Sequence, residues 1–202
     1  MLKQSLFALA LAAALPMSAQ ASEISYSYLE ASYLNMNAES SNGPNEDTWV
    51  VQGSAELGSS NFYVFGSHQF DSDYAHYDHS HENFSISKGG AGYHWALGDN
   101  TSMHAELGVG SETMYSDHFY TAGFGIRHNF GDSFELSGNA THRFGSDGLK
   151  DTTFVELAGQ YKFNENWGVT AAYTWGDYDG GSAASWDSTY DSSYRVGVRY
   201  SF

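Results

Sequence analysis

Charged side chains recur in the middle of segments that otherwise alternate apolar with small or polar residues. Glu156, for example, lies between Val155 and Leu157. Successive side chains of an extended strand point to opposite faces, so such charges share the face opposite the apolar residues. A face that carries both signs can satisfy its charges by ion pairing. The residues predicted to form one interior network of charges are Glu30, Glu56, Glu106, Glu135, Glu156, Arg127, Arg143, Lys162, Arg195 and Arg199.

One segment is unusually rich in side chains that bind metals. His76, Asp78, His79 and His81 lie within six consecutive residues. Imidazole and carboxylate together suit Zn, Ni or Cu. A loop, however, lacks the outer hydrogen bonds that orient metal ligands. We therefore interpret this segment as a solvated loop and keep a metal site as the lesser alternative.

Catalytic patterns are weak in this chain. It has no cysteine, which excludes a thiolate nucleophile or thiolate metal site. No G-x-S-x-G motif occurs, and Ser116, Asp117 and His118 are adjacent, so on a strand they would point to opposite faces. We predict a protein that is not an enzyme and needs no cofactor, with a hydrolase at the rim of the fold as an alternative.

The composition narrows the function classes further. The 202 residues include 24 Asp or Glu against 8 Lys or Arg, a formal net charge of −16. Nucleic-acid binding needs a basic footprint, so it is excluded. Aromatic residues make up 16% of the chain and glycines number 22, which is unusual for a helical domain. The length fits one domain.

The first segment has the pattern of a secretory signal peptide. Lys3 precedes an apolar stretch over 6–15, and Ala19-Gln20-Ala21 matches a cleavage site. The apolar stretch is too short to cross a bilayer as a helix. We therefore predict a signal peptide over 1–21 and a mature domain over 22–202.

The rest of the chain alternates with period two and predicts an all-β fold. A soluble periplasmic β-sandwich and a transmembrane antiparallel up-and-down barrel both alternate. Glu and Arg in mid-strand, with many glycines, favour the crowded lumen of a barrel. Ten strands are expected, or eight if the hairpin over 61–97 is read differently, with a bulge at Lys88-Gly89-Gly90. The expected strands are 24–37, 48–58, 61–71, 83–97, 101–114, 119–130, 133–144, 152–163, 167–177 and 192–202.

The connections differ in length on the two sides of this barrel. Short clusters of Gly, Asn, Asp and Ser alternate with longer acidic connections, such as 72–82 and 178–191. Outer-membrane barrels have short turns on one side and long loops outside the cell. The aromatic girdle expected on the short-turn side comprises Phe62, Tyr63, Trp95, Phe130, Phe134, Phe163, Trp167, Tyr200 and Phe202.

The end of the chain carries the most specific resemblance. Tyr194, Val196, Val198, Tyr200 and Phe202 alternate to the last residue, a pattern that resembles the C-terminal assembly signal of bacterial outer-membrane β-barrels. The segments 24–33 and 62–67 also resemble small gamma-proteobacterial barrel proteins of the OmpA/OmpX type. This resemblance implies location in the Gram-negative outer membrane, contact with its lipid, and recognition by the outer-membrane assembly machinery through the last strand.

The expected function follows from this architecture. We predict a structural or surface-interaction role through the acidic extracellular loops, toward an extracellular partner that the sequence does not identify. The same alternation also places Glu112, His94 and His104 inside, so the lumen is expected to be filled by paired charges. A narrow pore for small solutes or ions is the main alternative.

Overall fold

The chain forms a closed barrel of ten antiparallel strands. The computed structural model describes residues 24–38, 46–75, 81–113, 117–145, 151–178 and 190–202. The strands are β1 (Tyr28–Ala38), β2 (Glu46–Glu56), β3 (Phe62–Ala75), β4 (His81–Gly98), β5 (Thr101–Glu112), β6 (Asp117–Phe130), β7 (Phe134–Gly145), β8 (Thr152–Lys162), β9 (Trp167–Tyr178) and β10 (Tyr190–Ser201). The count of ten is confirmed, and a single closed sheet excludes a two-sheet sandwich.

Each strand pairs with its neighbours in sequence, and β1 closes the barrel on β10. The closing register runs from Tyr28 opposite Ser201 to Ala38 opposite Tyr190. Closure leaves no sheet edge with unpaired backbone groups. In the described part of the chain, no helix is long and apolar enough to cross a membrane.

Alternation along the strands separates two surfaces. Leu107 and Val198 project outward and are 70% and 48% exposed. Glu30 and Arg127 point inward and are 1% and 7% exposed. The apolar residues therefore cover the outside of the barrel, and its interior is polar, the inverse of a soluble core.

The prediction of a bulge at Lys88-Gly89-Gly90 is wrong. All three residues keep continuous pairing with both β3 and β5. The register shift between β3 and β4 falls instead between Gln69 and Ser72. A glycine occupies position 90 because a larger residue would not fit there. A Cβ at this position would lie 2.6 Å from Cζ of the Phe65 ring.

Two further expectations are corrected at the short-turn end. β1 begins at Tyr28, so residues 24–27 are not part of the first strand. Tyr63 does not join the girdle: it is 1% exposed and points inward, because its neighbour Phe62 takes the outward face. The girdle residues that are exposed as expected are Phe62, Phe130, Phe134, Phe163 and Trp167.

Gly92→Val should destabilise the barrel. Gly92 pairs with Tyr63 on β3, and a Cβ at Gly92 would lie 2.3 Å from Cζ of that ring. Overpacking of this kind costs about 1–3 kcal/mol. The loss should appear as a lower urea midpoint for unfolding of the protein in lipid vesicles.

Gly138→Val is the matched control. A Cβ at Gly138 meets nothing within 4 Å, and valine suits a strand better than glycine does. We expect this variant to unfold no earlier than the wild-type protein. Equal midpoints for Gly92→Val and Gly138→Val would contradict the contact between Tyr63 and Gly92.

Candidate functional site

The lumen contains a cavity of about 370 Å³. It extends from Tyr26 near the short-turn end to Phe119 and Phe154 toward the long-loop end. Three carboxylates line it: Glu106, Glu135 and Glu156. The basic residues that line it are Lys88, Arg127, Arg143, Arg195 and Arg199.

Glu30 on β1 is the centre of the largest ion-pair cluster. Its carboxylate lies 2.7 Å from the Nη2 atom of Arg199 and 3.3 Å from the Nη1 atom of Arg195. Ser32 and Gln52 donate further hydrogen bonds to it, at 2.7 and 3.2 Å. Because the barrel closes with Glu30 opposite Arg199 and opposite Gln52, the register itself brings these partners together.

The cluster continues along the wall to β8. Arg195 also contacts Glu156, with 3.1 Å between Nη2 and Oε2. Arg199 donates to the amide oxygen of Gln160 at 3.2 Å, and its guanidinium lies 4.0 Å from the ring centroid of Tyr28. Two arginines and two glutamates thus form one connected network on β1, β10 and β8.

A second cluster spans β6, β7 and β8. The Nε atom of Arg127 donates to Glu135 at 2.8 Å, and the ammonium of Lys162 lies 3.7 Å from the same carboxylate. Lys162 also donates to the amide oxygen of Asn129 at 3.3 Å. Both Arg127 and Glu135 are buried.

A third pair lies toward the long-loop end. Arg143 on β7 is 3.7 Å from Glu112 on β5, and both side chains are buried. The guanidinium of Arg143 lies 5.8 Å from the ring centroid of Phe119 and 5.7 Å from that of Phe154. Aromatic faces attract a cation at such distances.

Two predicted network members have partners other than Lys or Arg. Glu56 contacts the Nε2 atom of His94 at 3.1 Å. Glu106 accepts a hydrogen bond from the hydroxyl of Tyr63 at 2.8 Å. Both carboxylates thus meet aromatic side chains near the short-turn end of the lumen.

Lys88 is a lumen residue that sequence reasoning missed. It lines the cavity, and its ammonium lies 5.6 Å from the ring centroid of Phe65. Gly89 and Gly90 obscured the alternation around it. Ala91 and Tyr93 both face outward and are exposed. Counting back from them by alternation would have placed Lys88 on the inward face.

The segment before β1 was also missed as a lumen element. Tyr26 is 3% exposed, and its ring stacks on His94 with 4.2 Å between centroids and 7° between planes. Its hydroxyl lies 2.9 Å from the Ser102 hydroxyl and 3.3 Å from Nδ1 of His104. Burial raises the pKa of the Tyr26 phenol, and the nearby Arg127 cation opposes this shift.

The metal hypothesis rests on side chains that are not among the described residues. Within the part of the chain that the structure describes, no three His, Asp or Glu residues are grouped so that they could hold a metal ion. His76, Asp78 and His79 lie outside the described residues, and only the backbone of His81 is described.

The residues of the proposed assembly signal lie on β10 and just after it. Tyr194, Val196 and Val198 project outward and are exposed. Tyr200 packs against Trp167, with 4.9 Å between ring centroids, and Phe202 lies 6.1 Å from Tyr200. The terminal alternation thus forms an apolar outer face of the closing strand.

Comparison with known proteins supports the fold. The COG4313 outer-membrane channel from Pseudomonas putida F1 is 10% identical, with a TM-score of 0.52, over 92% of this chain and 98% of that one. The KdgM porin is 14% identical, with a TM-score of 0.48, over 86% and 99%. The Ail protein of Yersinia pestis is 15% identical, with a TM-score of 0.38, over 87% and 97%.

The likeness to the COG4313 outer-membrane channel supports the barrel fold expected from the sequence; the finer OmpA/OmpX type stays a prediction. No curated protein matches the chain. A family described as "Protein of unknown function, DUF481" matches residues 9–202. The chain therefore belongs to the DUF481 family.

Proposed function

We propose that the chain is a non-enzymatic outer-membrane barrel whose lumen is a narrow pore for small polar solutes. The observation that carries this proposal is the direction of the ion pairs. Glu30 with Arg199 joins neighbouring strands, and Arg195 with Glu156 joins strands only two apart. The pairs therefore run along the wall, and a charged cavity of about 370 Å³ is left between the walls.

The charge balance of the lumen also supports this proposal. Among the side chains that the structure describes, six Lys or Arg and six Glu belong to the lumen, so this part of the interior is balanced although the chain has a net charge of −16. A balanced interior offers hydrogen bonds to a polar solute without a large barrier to either ion sign. The COG4313 structure is named a channel, which fits a pore.

The same proposal includes the cellular setting. Cleavage after Ala21 would deliver the mature domain to the outer membrane. There the exposed outward residues, Leu107 among them, would contact lipid. The last strand would be the segment read by the assembly machinery.

Conductance across a planar bilayer tests the pore. The purified chain should give small, steady current steps in 1 M salt, and heat-denatured protein should give none. If neither the wild-type protein nor a Tyr26→Ala variant gives more current than the protein-free bilayer, the pore proposal is wrong. A closed, structural barrel would then be favoured.

A further inference from the structure

We propose that the short-turn end of the lumen contains a binding site for the aromatic side chain of the chain's own Tyr26, which narrows the passage when bound. The site itself rests on contacts described above. Only its effect on permeation rests on the proposed pore.

The segment 24–27 crosses the lumen. In the barrel order, β1 lies between β2 and β10, and β6 is the strand diametrically opposite. Tyr26, two residues before β1, nevertheless contacts His104 on β5 and Arg127 on β6. Arg127 also donates to the backbone oxygen of Ser25 at 2.8 Å. The far wall of the barrel thus holds both the side chain and the backbone of this segment.

Three groups of the wall surround the Tyr26 ring. The imidazole of His94 stacks on it, the Tyr63 ring lies 4.9 Å away, and the guanidinium of Arg127 lies 4.6 Å from its centroid. Stacking and cation–π contacts of this kind favour a planar aromatic ligand. Ser102 meets the hydroxyl at 2.9 Å, which makes the site suited to a phenol.

Each of these three groups is oriented by its own carboxylate. Glu56 contacts His94 at 3.1 Å, and Glu106 accepts from the Tyr63 hydroxyl at 2.8 Å. Glu135 accepts from Arg127 at 2.8 Å. A ligand site is effective when outer hydrogen bonds hold its contact groups in place before binding. These three glutamates are therefore positioning residues of the site.

Ile24 is buried beside Tyr26 at the same end of the lumen. It is 8% exposed and packs in one apolar cluster with Tyr26 and Tyr63. Ser27 anchors the base of the segment, because its hydroxyl accepts from the Glu56 backbone N–H at 3.1 Å. The strap from Ile24 to Ser27 thus has an anchored end at β1 and a bound end at the far wall.

The absence of cysteine allows a direct accessibility test. A single Ser102→Cys probe lies beside the Tyr26 hydroxyl, where the native serine is 6% exposed. Its reaction with a charged methanethiosulfonate reagent should be at least tenfold faster when Tyr26→Ala is added. Tyr93→Ala is the control, since Tyr93 lies on β4 but faces outward at 41% exposure, and it should leave the rate unchanged.

Bilayer current is measured on the same variants without the cysteine. Tyr26→Ala should raise the conductance at least twofold, and Tyr93→Ala should leave it near wild type. Heat-modifiable gel migration shows whether each variant folds. If Tyr26→Ala does not fold, Tyr26→Leu replaces it, because leucine keeps an apolar side chain in the site.

The outcomes separate the two proposals. Equal labelling of Ser102→Cys with and without Tyr26→Ala overturns the binding site, whatever the current. Faster labelling with no current from any variant supports the site and overturns the pore. Faster labelling with a current that Tyr26→Ala leaves unchanged overturns the narrowing of the passage.

Discussion

Glu30→Gln should lower the free energy of unfolding of the barrel by about 3–5 kcal/mol, the usual cost of breaking a buried ion pair by removing one partner. The side chain of Glu30 is fully buried and meets two guanidiniums, Arg195 and Arg199. Glutamine keeps the volume but removes the charge. Two cations, each 13% exposed, would then share the remaining acceptors, Glu156 and Gln160.

Urea titration in lipid vesicles, followed by tryptophan fluorescence, measures this loss. Glu56→Gln is the matched control, because Glu56 is 31% exposed and its partner is His94. A partly solvated contact of this kind contributes about 0–1 kcal/mol. If Glu30→Gln, like the control, lowers the free energy of unfolding by less than about 1 kcal/mol, the Glu30 carboxylate does not hold the arginines against the wall.

Leu107→Arg should cost about 2–4 kcal/mol of unfolding free energy in lipid vesicles. Leu107 is near the middle of β5, is 70% exposed, and pairs with Ala91 and Ala122 on its two neighbouring strands. If the outer face contacts lipid, an arginine at this depth must bring its charge into the hydrocarbon core.

Leu57→Arg is the same substitution at a different depth. Leu57 directly follows β2 at the short-turn end and is 51% exposed. A charge at the membrane interface costs about 0–1 kcal/mol. Similar small losses at Leu57 and Leu107 would show that the exposed apolar face is not in a bilayer.

Period-two alternation was sufficient to predict much of the architecture. It predicted that Glu156 lies on one face of its strand and that Val155 and Leu157 lie on the other. In the structure, Val155 and Leu157 are on the outside of the barrel, each 47% exposed. Short turns and strand lengths then set the count of ten. This works because a barrel imposes one physical rule on every strand, apolar to one side and polar to the other.

The failures fall where that local rule does not operate. Tyr63 is the exception, because alternation with its outward neighbour Phe62 is itself what turns Tyr63 inward to Glu106. Lys88 lies beside two glycines, which carry no side chain to mark a face. Tyr26 lies before the first strand, so alternation predicts nothing about its direction.

The sequence by itself determined which residues face inward as a class, because that property depends only on each residue's neighbours in its own strand. Tertiary structure decided which carboxylate meets which base. Glu30 and Arg199 are 169 residues apart, and only the register in which β1 closes on β10 sets them side by side. Closure likewise places the wall of β3 to β6 across from the start of β1, where it can bind Tyr26.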